Sequence, residues 1–244
     1  MVYRKTNIVL AIIHALLTVL IGSLVLPNDF NMDFTTRVHG FSKVGPAIVP
    51  ESRVGRNLNN YIKGGLVFFY VWTALAHTIY AIDPFGYYTK SVQSGINVMR
   101  WIEYAVSATV MLGIMAIISG VRDDYAFDLL LYMSVAIMST GYWYESTNGS
   151  KVSLFIGFML LFGVAVTIIS SFNRTLNDVN NIGVTIPDFV YGVVYIMLGF
   201  YSVFGVVPLM PKRFQERIYM VLSLLAKGCL GVLLAIGANR GMGR

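Results

Sequence analysis

The chain has 244 residues, of which 56% are hydrophobic and only 12% charged, with a formal net charge of +6. A soluble domain carries about 25% charged residues, so this composition excludes an ordinary soluble enzyme and points to a membrane bundle. The single cysteine, Cys229, excludes an intrachain disulfide, and no Walker motif, dinucleotide fingerprint or metal-ligand spacing is present.

Seven apolar stretches approach the ~20 residues that a bilayer crossing needs. In chain order they are residues 7–26, 61–82, 95–119, 125–143, 152–172, 187–208 and 216–238. The first follows Arg4 and Lys5 but is longer than a signal-peptide core, and no small-x-small cleavage site follows it, so it reads as a span. Five connections are short. The exception, residues 27–60, contains Pro27, Pro46, Pro50, Gly40, Gly45 and Gly55. Its length predicts structure of its own, and Phe41, Val44, Ile48 and Val49 suit a small buried hairpin or cap over the bundle mouth. The expected fold is all-α, a seven-transmembrane-helix bundle forming one domain over residues 1–244, with a β-structured first loop. No internal repeat is evident, which argues against a repeat-built transporter.

Charge bias gives an orientation. With the N-terminus inside, the inner face carries Arg4, Lys5, Lys90, Lys151, Lys212, Arg213 and Arg217, against Arg122, Arg174, Arg240 and Arg244 in the outer short loops and tail. Arg37, Lys43, Arg53, Arg56 and Lys63 of the long first loop reverse that balance unless the loop is discounted as a folded unit.

Lys227 lies in the middle of an apolar run, residues 218–238, that holds no other charge. An ammonium near the bilayer centre costs roughly 2.5–3.5 kcal/mol on insertion scales, so such a lysine is expected to form an ion pair, a transport site or a covalent imine. At a rise of ~1.5 Å per residue, His14 lies roughly 10 Å deep, His77 roughly 7 Å, Glu103 roughly 12 Å and Lys227 roughly 16 Å, all in one half of the membrane. Helical spacing puts Ser223 on the face of Lys227 and Ser107 on the face of Glu103. Glu103 is thus the expected charge partner of Lys227, and the two serines its hydrogen-bond partners. Arg100 is near enough to its helix end to snorkel. Gly228 and Gly231 thin the helix beside Lys227 and leave room for something bulky. Cys229 points off the face of Lys227 and reads as packing. The mid-depth aromatics and methionines, among them Tyr104, Met111, Met133, Met138, Phe158, Met159, Phe162, Tyr195, Phe200, Tyr201 and Phe204, could line an elongated apolar slot that ends at the lysine.

These residues resemble the heliorhodopsins, seven-helix retinal proteins of inverted topology. The resemblance is carried by Arg100-Trp101-Ile102-Glu103-Tyr104 with Ser107 and Met111, by Tyr144-Glu145-Ser146-Thr147-Asn148, by Ser223-Leu224-Leu225-Ala226-Lys227, and by the pair His14 and His77. Ion-pumping microbial rhodopsins fit less well. They carry Asp where this chain has Ser223, and outward proton pumps carry a carboxylic donor where it has Ile114. The resemblance implies all-trans retinal bound to Lys227 as a protonated Schiff base, with Glu103 as counterion. It implies a polar cavity with proton acceptors among His14, His77, Arg100, Tyr104, Glu145 and Glu216. It implies a retinal pocket drawn from Trp101, Met111, Ser134, Ile137, Met138, Phe162, Phe200 and Tyr201. It further implies a cytoplasmic N-terminus, an extracellular C-terminus, a small outer sheet and a homodimer.

The expected function is a light sensor that signals by a slow conformational change, with an unknown signalling partner, no ion pumping, no enzymatic activity and no nucleic-acid binding. A light-gated or light-driven proton or ion transporter is the alternative, for which Ser119 and Asp128 are the outer-half candidates. A retinal-free receptor or transporter with a structural Lys–Glu pair is a third reading. The sequons at Asn148 and Asn173 are short patterns that carry little weight.

Overall fold

The computed structural model describes residues 2–28, 30 and 33–240. Arg244 and the side chain of Arg240, both counted above, lie outside the described residues. Helix α1 (Arg4–Val25) leads into an antiparallel hairpin of β1 (Thr35–Val44) and β2 (Ala47–Asn57), then α2 (Asn59–Ile82). After a short 3₁₀ turn come α3 (Tyr87–Ser94), α4 (Val98–Ile118), α5 (Asp124–Ser146), α6 (Lys151–Asn181), α7 (Asp188–Val206) and α8 (Lys212–Arg240).

Six of these helices are long and apolar enough to cross a membrane: α1, α2, α4, α6, α7 together with its trailing 3₁₀ turn, and α8. Helix α5 takes the seventh place, packed between α4 and α6. Asp124, Asp128 and the polar run Ser139-Thr140 make it less apolar than its neighbours. Three helices, α4, α5 and α6, start where the sequence offers a cap. The side chain of Asn97 accepts from the Arg100 N–H, Asp123 from Ala126 and Ser150 from Ser153, each satisfying an N–H that has no intrahelical partner.

Three departures from the sequence reading stand out beyond the shifts of up to three residues at other helix ends. Helix α3 stands apart from α4 because Gly95 adopts a left-handed conformation, φ 74°, and ends it. Helix α6 runs on to Asn181, and α8 starts at Lys212 rather than 216. Polar residues in these extra turns hide the helix from a hydropathy reading.

The hairpin turns at Gly45 and Pro46, with Gly45 at φ 62°, as a two-residue hairpin with glycine first requires. It is tied to α5: Thr36 Oγ1 donates to Asp124 Oδ1 at 2.6 Å, Arg56 Nε to the same oxygen at 2.8 Å, and Arg56 to Asp128 at 2.7 Å. The expected hairpin core is not formed. Phe41, Val44 and Ile48 are 70%, 62% and 74% exposed, because a two-stranded ribbon has no layer beneath its outer end.

The main core fills the half of the bundle nearer the hairpin, around Ile62, Leu66, Leu112, Ile114, Met115, Val164, Val193, Val194, Leu230 and Leu234. Ser119, a candidate polar group there, donates its hydroxyl to the Ala116 carbonyl of its own helix. Asp128 is held by Arg56 at the surface. Polar side chains instead collect in the other half, toward the face that carries α3.

Candidate functional site

Lys227 is 2% exposed. Its Nζ donates to Glu103 Oε1 at 2.7 Å and to Ser223 Oγ at 2.9 Å. Helix α8 supplies the lysine and, one turn earlier, the serine. Helix α4 supplies the carboxylate, itself 4% exposed. Thr73 of α2 donates to the same carboxylate oxygen at 2.8 Å, and the Trp72 indole N–H donates to the Glu103 backbone carbonyl at 3.3 Å. Neither α2 residue was singled out from sequence. The signal was present, since Tyr70, Thr73 and His77 fall at i, i+3 and i+7 on one helical stripe.

Tyr70 corrects the reading of the glycines. Its hydroxyl donates to the Lys227 carbonyl at 2.7 Å and would lie 2.0 Å from a Cβ at Gly231. Gly231 therefore admits Tyr70 rather than leaving a void, while a Cβ at Gly228 would meet nothing within 4 Å. Ser107 is buried beside the site and lines the cavity described below, while the hydrogen bonds of the amine go to Glu103 and Ser223. Cys229 is a free, half-buried thiol.

Toward the α3 face, the His14 and His77 rings stack with centroids 5.6 Å apart. His14 Nδ1 pairs with the Leu10 carbonyl at 2.8 Å, so this nitrogen carries the proton in the neutral ring. His77 Nδ1 pairs with Asn7 Oδ1 at 2.9 Å. Among the described residues, His14 Nε2 is buried without a hydrogen-bond partner. Asn7 was missed, although it lies two helical turns before His14 on the same face.

Nearer the surface, Arg100 does not snorkel to water as its position suggested. It is 5% exposed, and its guanidinium joins Glu145 on α5 to Glu216 on α8. Carboxylates from two other helices meet it inside the bundle, which removes the reason to reach outward. Trp101 Nε1 donates to Glu145 at 2.8 Å, Asn97 Nδ2 to Glu216 at 2.9 Å and the Tyr88 hydroxyl to Glu216 at 3.1 Å. The guanidinium lies 4.2 Å from the Tyr219 ring centroid and 5.0 Å from that of Trp101. Tyr104 sits between the two levels, its hydroxyl on the Tyr219 carbonyl and its ring 5.6 Å from Lys227 Nζ.

From Lys227 and Ser223 a largely apolar cavity opens between α4, α5, α6 and α7, with about 910 Å³ of empty space including its open mouth. Trp101, Tyr104, Ser107, Met111, Ile137, Met138, Phe200 and Tyr201 all line it. Two expected pocket residues do not. Phe162 is 64% exposed and points out of the bundle, and Ser134 is fully buried off the cavity. Both reflect the angular phase of a helix, which hydropathy alone does not set. Phe158 and Phe204, among the mid-depth aromatics, do line it, whereas Met159 and Tyr195 face outward. Leu161, Met197, Gly141 and Gly157 complete walls that the sequence reading did not assign.

The sequence model of one family, described as Heliorhodopsin, matches residues 3–238 of the chain. No curated protein matches it.

Proposed function

Because the chain belongs to the heliorhodopsin family, and is therefore a retinal-binding, light-sensing membrane protein, we propose that Lys227 is the attachment point for all-trans retinal, with Glu103 as its single counterion. One observation carries this reading: a buried lysine, paired with a buried carboxylate, at the end of an apolar cavity. A mostly apolar cavity with a few polar groups at one end is the usual form of a small-molecule site, and the aromatic and methionine lining of this one suits a polyene. Retinal, when bound, supplies the aldehyde for the covalent link and the light-driven isomerisation.

The chain's own residues supply the rest. Glu103 balances a cation at the Lys227 nitrogen, and Thr73 fixes the carboxylate rotamer. Ser223 offers a second oxygen to the same nitrogen. His14 Nε2 is the group we assign as proton acceptor, because the unprotonated nitrogen of a neutral imidazole accepts a proton and this one has no hydrogen-bond partner among the described residues. Asn7 and His77 hold the neighbouring ring in place. Arg100, Glu145 and Glu216 link α4, α5 and α8 below Tyr104, so a shift at the site can reach the α3 face as a conformational signal. A pump would need polar groups through the hairpin half, and there the core is apolar.

The orientation follows the same reading. Residues 1–244 form one retinal-binding domain with the N-terminus cytoplasmic, the C-terminus extracellular and residues 27–60 as an extracellular cap. Pairing of Arg53 and Arg56 with carboxylates supports discounting the hairpin charges. A homodimer and a signalling partner rest on the family resemblance alone.

The test is to add all-trans retinal to the purified protein. A visible absorption band is expected, absent from Lys227→Ala. A colourless wild type would sink the proposal and leave the retinal-free receptor. Light-induced pH changes or photocurrents in cells would replace the sensor by the transporter.

A further inference from the structure

The two ends of the bundle differ in how their charges are placed. On the hairpin face, cations and carboxylates are interspersed: Arg53 pairs with Glu51, Arg56 with Asp124 and Asp128, and His39 lies 3.6 Å from Asp123. On the α3 face, Arg4, Lys5, Lys90, Lys151, Lys212, Arg213 and Arg217 are all exposed. Among the described residues none of them forms a salt bridge. Arg213 and Arg217 lie over the rings of Phe214 and Tyr3, and Lys212 reaches only the Asn148 amide at 3.4 Å. The carboxylates of this face are turned inward. Asp83 is 4% exposed and bonded to Thr89, while Glu145 and Glu216 are spent on Arg100. The face therefore presents positive charge with no exposed carboxylate to neutralise it.

Helix α3 adds an apolar element beside these cations. Tyr88 holds it down: 1% exposed, it stacks on Tyr80 at 4.8 Å and donates to Glu216. Phe85, in the 3₁₀ turn just before α3, is 86% exposed, and Tyr87, the first residue of α3, is 62% exposed. Phe85 is held at φ 61°, a left-handed conformation that is unfavourable for a non-glycine residue. A bulky aromatic kept there in water would gain nothing. It does, however, come shortly after Leu75, Ile79 and Ile82, the exposed apolar row of α2 that a bilayer would cover.

We propose that α3 lies in the lipid headgroup layer, with Phe85 and Tyr87 dipping into the leaflet, and that the surrounding cations bind anionic phospholipid. Aromatic side chains favour that depth, and phosphate headgroups supply the charge that the protein face lacks. Tyr88 connects the bound surface to the Arg100 network through Glu216, so membrane charge acts on the buried ion cluster.

The experiment titrates the detergent-solubilised protein with phosphatidylglycerol and, separately, phosphatidylcholine, counting retained lipids by native mass spectrometry. Selective, salt-sensitive retention of phosphatidylglycerol is expected. The triple variant Lys90→Gln, Lys212→Gln, Arg213→Gln should weaken it about a hundredfold, as three surface cations imply, while Arg174→Gln on the hairpin face should leave it unchanged. Phe85→Ser should also weaken retention. Circular dichroism and a monodisperse elution profile establish that each variant is folded. Equal retention of the two lipids, or retention that survives the triple variant, overturns the proposal. Displacement of phosphatidylglycerol by inorganic phosphate or polyglutamate at matched charge also overturns it, in favour of a soluble anionic partner. Loss in the triple variant with none in Phe85→Ser removes the insertion of α3.

Discussion

Replacing Glu103 by Gln keeps the shape of the side chain and an oxygen for Thr73 but removes the charge facing Lys227. At 2.7 Å and an effective dielectric of about 20, the lost attraction is about 6 kcal/mol. Two consequences follow. Without retinal, the ammonium is left buried and uncompensated, and truncating one partner of such a pair costs about 3–5 kcal/mol. That appears as a lower thermal midpoint of the retinal-free protein. With retinal, the counterion stabilises charge held next to the Lys227 nitrogen more than charge spread along the polyene, so its removal narrows the optical gap. The band should move to longer wavelength by a fraction of that same ~6 kcal/mol. The assay is paired absorption spectra and melts of wild type and variant in one detergent at low salt. An unchanged band would reject Glu103 as counterion. An unchanged melt of the retinal-free protein would show that the pair carries little weight inside the bundle.

Four further outcomes are expected. Arg100→Gln leaves Glu145 and Glu216 without their shared cation and should destabilise the protein by about 3–5 kcal/mol, seen as a lower thermal midpoint. Gly231→Ala puts a methyl 2.0 Å from the Tyr70 hydroxyl, so Tyr70 must leave the Lys227 carbonyl; overpacking of about 1–3 kcal/mol and a shifted band should appear together in spectra and melts. Ser223→Ala removes one hydrogen bond to Lys227 and should cost only about 0.5–1.5 kcal/mol in a denaturant titration, with a colour change smaller than that of Glu103→Gln. For Asp83, burial alone would raise the carboxyl pKa, but hydrogen bonds from Thr89 and the Tyr88 N–H hold it below the usual carboxylate range. A depressed folded value means its contribution is present above about pH 4 and lost as pH falls through the folded value; hydrogen exchange at Tyr88 and Thr89 should quicken there, and not in Asp83→Asn.

Much of this arrangement was legible in the chain. The spans follow from runs of apolar residues whose length a bilayer dictates. The depths of His14, His77, Glu103 and Lys227 follow from helical rise, and Ser223 from a spacing of four. A charge in the middle of an apolar run is expensive wherever it is placed, so Lys227 announced itself without a structure.

Tertiary packing decided what one helix cannot tell about another. Thr73 and Tyr70 matter because α2 lies against α4 and the Tyr70 side chain reaches the α8 backbone, and Arg100 is buried because two carboxylates from other helices reach it. Phe162 faces outward and Phe158 inward through a rotation of α6 that side-chain packing sets. Periodicity fixes which residues share a face, but the direction of that face depends on contacts distant in sequence. The long first loop shows the same division: its turn residues foretold a hairpin, and only its anchorage to Asp124 and Asp128 on α5 determined where that hairpin stands.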